Sequence, residues 1–186
     1  MWKFAGNSNL TAGAFCGVMP RMIERTGLPA PLPKPVMSAR EAAAALVGAW
    51  ELDVWTTFHP DGTQSHPFGT DAIGVIMYSD DGHMSCHLSV ANRPLFNKPS
   101  VFDVTDAELG QTMRGYSAYF GTFSMDMDKG EVIHHVTGAW YPDFAAVDQP
   151  RRFAFEGDRL FLEANVGEDL VRIAWRRRDA GTLPCG

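Results

Sequence analysis

From residue 49 onward, apolar and polar positions alternate in short runs broken by Gly, Asp and Pro. The pattern predicts strands over 49–58, 72–79, 83–90, 117–126, 131–139, 150–156, 159–164 and 169–177. Two stretches read as helix instead. "SAREAAAALVG" starts at Ser38 with Glu41 at capping-box spacing and stops at Gly48, and 105–115 starts at Thr105 with Glu108 in the same relation. Eight sequential strands joined mostly by hairpins predict an all-β, up-and-down antiparallel barrel. Residues 1–37 show no periodicity and end in "LPAPLPKP", a stiff extended arm. The predicted organisation is an arm over 1–37, a barrel over 38–179 and a tail over 180–186.

The turns give the barrel two unlike ends. "SDDGH", "DMDKGE" and "EGDR" are tight hairpin signals, and in a meander they share one end. The connections 59–71, 91–116 and 140–149 at the other end are long, with only 165–168 short. Ligand sites favour such open mouths. The excursion between the third and fourth strands, with its helix, is long enough to be a lid.

Cross-strand pairing orients the side chains. A two-residue loop at 157–158 pairs Phe155 with Leu160, Phe153 with Leu162 and Arg151 with Ala164 on one face. On the other face it sets Glu156 against Arg159 and Arg152 against Glu163. Arg151 is then an inward cation near the open end. A three-residue loop at 128–130 pairs Met125 with Ile133, Phe123 with His135 and Gly121 with Thr137, a face that also holds Tyr119. On this register His135 points in and His134 out. Along 83–90, Met84, Cys86 and Leu88 form an apolar face and His83, Ser85 and His87 a polar one; the polar face lines a cavity or faces solvent according to whether the barrel is hollow.

Composition narrows the function classes. The net charge of −6 lacks the basic face that nucleic acid needs, and it disfavours an anionic membrane. No apolar stretch approaches the roughly 20 residues of a membrane span, and the N-terminus has no continuous apolar signal region. Cys16, Cys86 and Cys185 form no CxxC pair, which fits a reducing, cytoplasmic location rather than disulfides or zinc. Adjacent strand histidines cannot share an ion, and His83 and His87 lie ~13 Å apart, so no metal is expected. Without GxGxxG or a P-loop no nucleotide cofactor is expected, and none of another kind is indicated; without a GxSxG elbow no serine nucleophile is signalled.

The stretches "LVGAWEL", "HPFGTDAIGVIMYSDDGHMSCHL", "NRPLF", "RGYSAYFGTF", "HHVTGAWYPDF", "DQPRRFAFEGDRLFL" and "AWRRR" span about residues 45–178. In order and spacing they resemble the lipocalin-like domain family. The resemblance implies a lipocalin-like barrel with a short N-terminal helix, Gly48 and Trp50 closing its base, and Arg177 packed over Trp50. The long 91–116 excursion departs from the usual short connection. A small, largely apolar ligand is implied, but no single activity, since related barrels include carriers and cofactor-free isomerases, cyclases and lyases.

Three functions remain open. As an enzyme, a cofactor-free isomerase, cyclase or lyase, the barrel would use His135 to move a proton. Tyr119 and Arg151 would polarise an oxygen, and His87 would be a second base. Ser85, Phe123, Thr137, Trp140, Tyr141 and Phe153 would line a hydrophobic or aromatic ligand. As a carrier it would have the cavity and no chemistry. As an interaction module it would have a filled core, with the arm reaching a partner, for instance a second copy in a homodimer.

Overall fold

The computed structural model describes residues 27–178. The chain enters through α1 (Ala39–Leu46), capped by the Ser38–Glu41 box, and runs into β1 (Gly48–Phe58). It continues through β2 (Gln64–Ser65), β3 (Ile73–Tyr78), β4 (His83–Ser89), β5 (Tyr116–Asp126), β6 (Glu131–Ala139), β7 (Gln149–Glu156), β8 (Arg159–Val166) and β9 (Asp169–Arg177). Between β4 and β5 lie a 3₁₀ turn (Val101–Asp103) and α2 (Asp106–Met113), capped by the Thr105–Glu108 box. Eight antiparallel strands pair in sequence, and β1 closes on β9 from Trp50↔Arg177 to Phe58↔Leu170. The short β2 pairs with the end of β1.

The base is closed as the family pattern implies. The Arg177 guanidinium sits 4.0 Å from the Trp50 ring and donates to the carbonyls of Val47 and Ala45. Trp50 Nε1 donates to the Leu46 carbonyl at 2.8 Å. The last carbonyls of α1, which have no partners within the helix, are thus taken up by the barrel floor. Above the floor, Leu46, Ile76, Phe153, Leu160 and Trp175 are almost wholly buried and fill the lower lumen.

The β7–β8 register is the one the sequence predicts, with Phe153↔Leu162 inside and Arg152↔Glu163 outside. The β5–β6 register is not. Asp126 Oδ1 accepts the Lys129 amide at 3.0 Å, and its carboxylate pairs with Lys129 Nζ at 3.1 Å. The loop therefore holds four residues, with Gly130 at φ +69°, and Asp126↔Glu131 closes the pair. One extra loop residue flips the following strand. His134, opposite Phe123, points inward, and His135, opposite Thr122, points outward. A bulge at Thr137 restores the predicted pairing beyond it, at Phe120↔Gly138 and Tyr119↔Ala139. The strands approach so closely there that a side chain at Gly121 would collide with the His135 carbonyl. Met84, Cys86 and Leu88 are buried inside, so Ser85 and His87 face out.

Residues 27–37, the described part of the arm, lie along the outer wall. Leu32 N donates to Glu163 Oε1 at 3.3 Å, Arg172 Nη2 donates to the Ala30 carbonyl at 2.8 Å, and Lys34 Nζ donates to the Asp128 carbonyl at 2.9 Å. Under this strap Glu163, an outer-face residue, is only 1% exposed, and Arg172 meets it at 2.5 Å. The arm's earlier residues, the tail from 179, Cys16 and Cys185 lie outside the described residues. Removing one partner of a buried pair leaves the other uncompensated. Glu163→Ala should therefore lose about 3 kcal/mol in urea unfolding, while Arg152→Ala, whose side chain is 43% exposed, should change it by less than about 1 kcal/mol.

Candidate functional site

The lumen carries its polar groups in two places. The first is a buried hydrogen-bonded chain. His134 is fully buried; its Nε2 lies 2.8 Å from the Tyr78 hydroxyl and its Nδ1 2.9 Å from the Tyr119 hydroxyl. Tyr119 also meets the buried Cys86 thiol. One arrangement satisfies every group: Tyr78 donates to Nε2, Nδ1–H donates to Tyr119, and Tyr119 donates to Cys86. Burial pushes both tyrosines up and the Cys86 thiol up to about 12. Burial, then the charge of Arg151, then that of His135, hold His134 well below its ordinary 6.5. At neutral pH the chain is uncharged.

The second is the wall towards the mouth. The β7–β8 ladder ends at Arg152↔Glu163, and above it the strands part. Gln149, Pro150 and Arg151 form one lip, and Ala164 and Asn165 the other, of a cleft of about 320 Å³ whose outer edge carries Glu131, Arg152 and Glu163. Arg151 shares the inward face of Phe153, as predicted. It donates to the Pro150 carbonyl at 2.8 Å and to Gln149 Oε1 at 3.2 Å, and no described carboxylate pairs with it. From the cleft the inward row runs Ala164↔Val171↔Thr57 across two strand spacings, about 10 Å. On that side Thr57 Oγ1, Trp55 Nε1 and, lower down, Trp175 Nε1 are buried with no hydrogen-bond partner among the described residues. Buried polar groups are rarely left so.

The other sequence candidates separate into lumen, mouth and outer wall. Tyr119, Phe123 and Phe153 face the lumen, with Phe123 edge-on to Tyr78 at 5.0 Å. Trp140 and Tyr141 lie at the mouth; Trp140 Nε1 donates to Ser117, and Tyr141 packs on Phe144, whose ring meets Tyr119. His135 is on the outer wall, between Ser124 at 2.8 Å and Asp148 at 2.9 Å, and is not in contact with the lumen. His87 and Ser85 bond one another outside, with Tyr116 completing that cluster, and Thr137 is exposed at the bulge. Sequence reasoning passed over His134, Tyr78, Trp55 and Thr57. The first lost its place through the loop length, and the rest looked like ordinary strand residues.

Among the described residues no helix is long and apolar enough to cross a membrane, and no three His, Cys, Asp or Glu side chains gather as metal ligands would. A family of lipocalin-like domains matches residues 47–179, well over half the chain. No curated protein and no solved structure matches it.

Because His134 is held neutral when folded, the unfolded chain takes up its proton first as pH falls. The stability this group contributes is whole above about pH 6.5 and drains away below it, by up to about 1.4 kcal/mol per pH unit. Urea midpoints measured from pH 7.5 to 5 should fall more steeply for the native chain than for His134→Gln. Tyr78→Phe strips Nε2 of its donor and should cost about 1–3 kcal/mol at pH 7.5 in the same titration.

Proposed function

This chain belongs to the lipocalin-like domain family, and on that footing we propose that it binds a small, largely apolar or aromatic molecule bearing oxygen acceptors, seated in the upper lumen. The observation that carries this is the pair of donors on the upper inward wall, Trp55 Nε1 and Thr57 Oγ1, that find no hydrogen-bond partner among the described residues. An acceptor-bearing ligand offers these groups the partners they lack. Arg151, at the cleft and paired with no described carboxylate, suits an anionic oxygen at the other end of the same molecule, while Phe68, packed at a tilt against Trp55 with ring centroids 4.9 Å apart, suits an apolar body. Cytoplasmic residence is part of this reading and rests on the three scattered cysteines without a CxxC pair.

Proton-transfer chemistry of the isomerase, cyclase or lyase kind is the second possibility, and it would fall to His134 rather than His135. Binding is favoured over it because the Tyr78–His134–Tyr119–Cys86 chain satisfies its own hydrogen bonds, so no bare nitrogen is offered to a substrate.

8-Anilinonaphthalene-1-sulfonate, an aromatic anion, tests this. It should bind the native chain with quenching of tryptophan emission, and Arg151→Gln and Thr57→Val should each weaken binding about tenfold, roughly 1.4 kcal/mol. Absence of saturable binding to the folded chain, or unchanged affinity in both variants, would overturn the assignment.

A further inference from the structure

Among the described residues four histidines, His59, His87, His134 and His135, bridge a hydroxyl and a second oxygen group, and His59 does so at the rim of the lumen. His59 Nδ1 lies 2.9 Å from Asp169 Oδ1, and its Nε2 lies 2.9 Å from Ser65 Oγ. The carboxylate can only accept, so Nδ1 carries the proton of the neutral ring and Nε2 is the bare nitrogen that accepts from the serine hydroxyl. This is the relation of orienting carboxylate, base and nucleophile that acyl-transfer enzymes reach on unrelated folds.

The placement is as telling as the distances. Ser65 is directly opposite Thr57 in the β1–β2 pair, so the two side chains share a face. His59 follows Thr57 by two residues, and Asp169 precedes its partner Val171 by two. All three groups therefore stand on the inward side, at the mouth, above the unpartnered Thr57 hydroxyl. The similar Ser124–His135–Asp148 set is on the outer wall, with no lumen beside it and with Asp148 59% exposed.

We propose that Ser65, His59 and Asp169 form a nucleophilic centre that hydrolyses a small ester whose apolar part occupies the upper lumen, with the Thr57 hydroxyl donating to the oxyanion. It rests on the ligand-binding role of that lumen. Ser65 Oγ attacks the ester carbonyl carbon while its proton passes to His59 Nε2. The carbon–oxygen bond to the alcohol then breaks and the alcohol leaves with that proton. Water attacks the acyl-serine, gives its proton to Nε2, and the bond to Ser65 Oγ breaks as the proton returns to it, releasing the carboxylic acid. Asp169 holds the ring in the required tautomer throughout.

The test uses the full chain with a fluorophosphonate and with p-nitrophenyl butyrate. The fluorophosphonate should add to the peptide containing Ser65, and Ser65→Ala should abolish both the adduct and ester turnover. His59→Gln should do nearly the same. Thr57→Val should lower turnover by about 10²-fold while leaving the adduct detectable. Ser124→Ala should change neither. A native chain that gives no adduct and no turnover, an adduct located at Ser124, or turnover surviving Ser65→Ala would each overturn the proposal. The anilinonaphthalene titration of Ser65→Ala separates the two failures: binding that persists without hydrolysis in the native chain leaves the lumen a ligand site and removes only the chemistry.

Discussion

The barrel depends on the clasp at its floor, where Arg177 lies over Trp50 and both side chains take up the terminal carbonyls of α1. A closed sheet has to fix which residue of its first strand meets which residue of its last, and Trp50↔Arg177 sets that start. Everything along the β1–β9 seam is counted from it. The Leu52/Val54 irregularity shifts the count once, after which Trp55, Thr57, Ile173 and Val171 look inward together. A cation facing the lumen would be costly alone. Here it is held between an indole face and a helix C-terminus, where positive charge is favoured.

Above that floor the lumen is divided by function. In its lower part Leu46, Trp50, Phe153, Leu160 and Trp175 occupy the space with their own side chains, so no ligand is accommodated there. Above, the wall opens where β7 leaves β8, and polar atoms without partners appear on β1. The buried Tyr78–His134–Tyr119 chain runs through the interior and is electrically silent. Its hydroxyls and ring spend their hydrogen bonds on one another, which fixes the rotamers of three large side chains in an otherwise apolar interior.

Most of the fold was legible in the chain because the strands carry marks on both faces. Glu156 opposite Arg159 and Arg152 opposite Glu163, with phenylalanines against leucines between them, admit only one register for β7 and β8. The β5–β6 hairpin carries no such marks. Its loop length is decided by the Asp126 contacts to Lys129, a side-chain event that strand periodicity does not encode, and its bulge at Thr137 is a local choice again. The error was therefore confined to the side chains between the loop and the bulge. It fell on the two histidines because they are adjacent.

The rim centre was invisible for a different reason. Its base and its carboxylate are 110 residues apart, and its serine lies on a two-residue strand within what reads as a loop. No motif can carry a constellation assembled by barrel closure, because the last strand delivers Asp169 to the first only once the seam has formed. The same clasp that holds the floor therefore sets whether Ser65, His59 and Asp169 meet at all. A one-residue slip of β9 against β1 would turn Asp169 to the outer face while leaving β1 and β2 intact. The capacity for chemistry at the mouth is in this sense a property of the seam, and the long loops around it only shape what can approach.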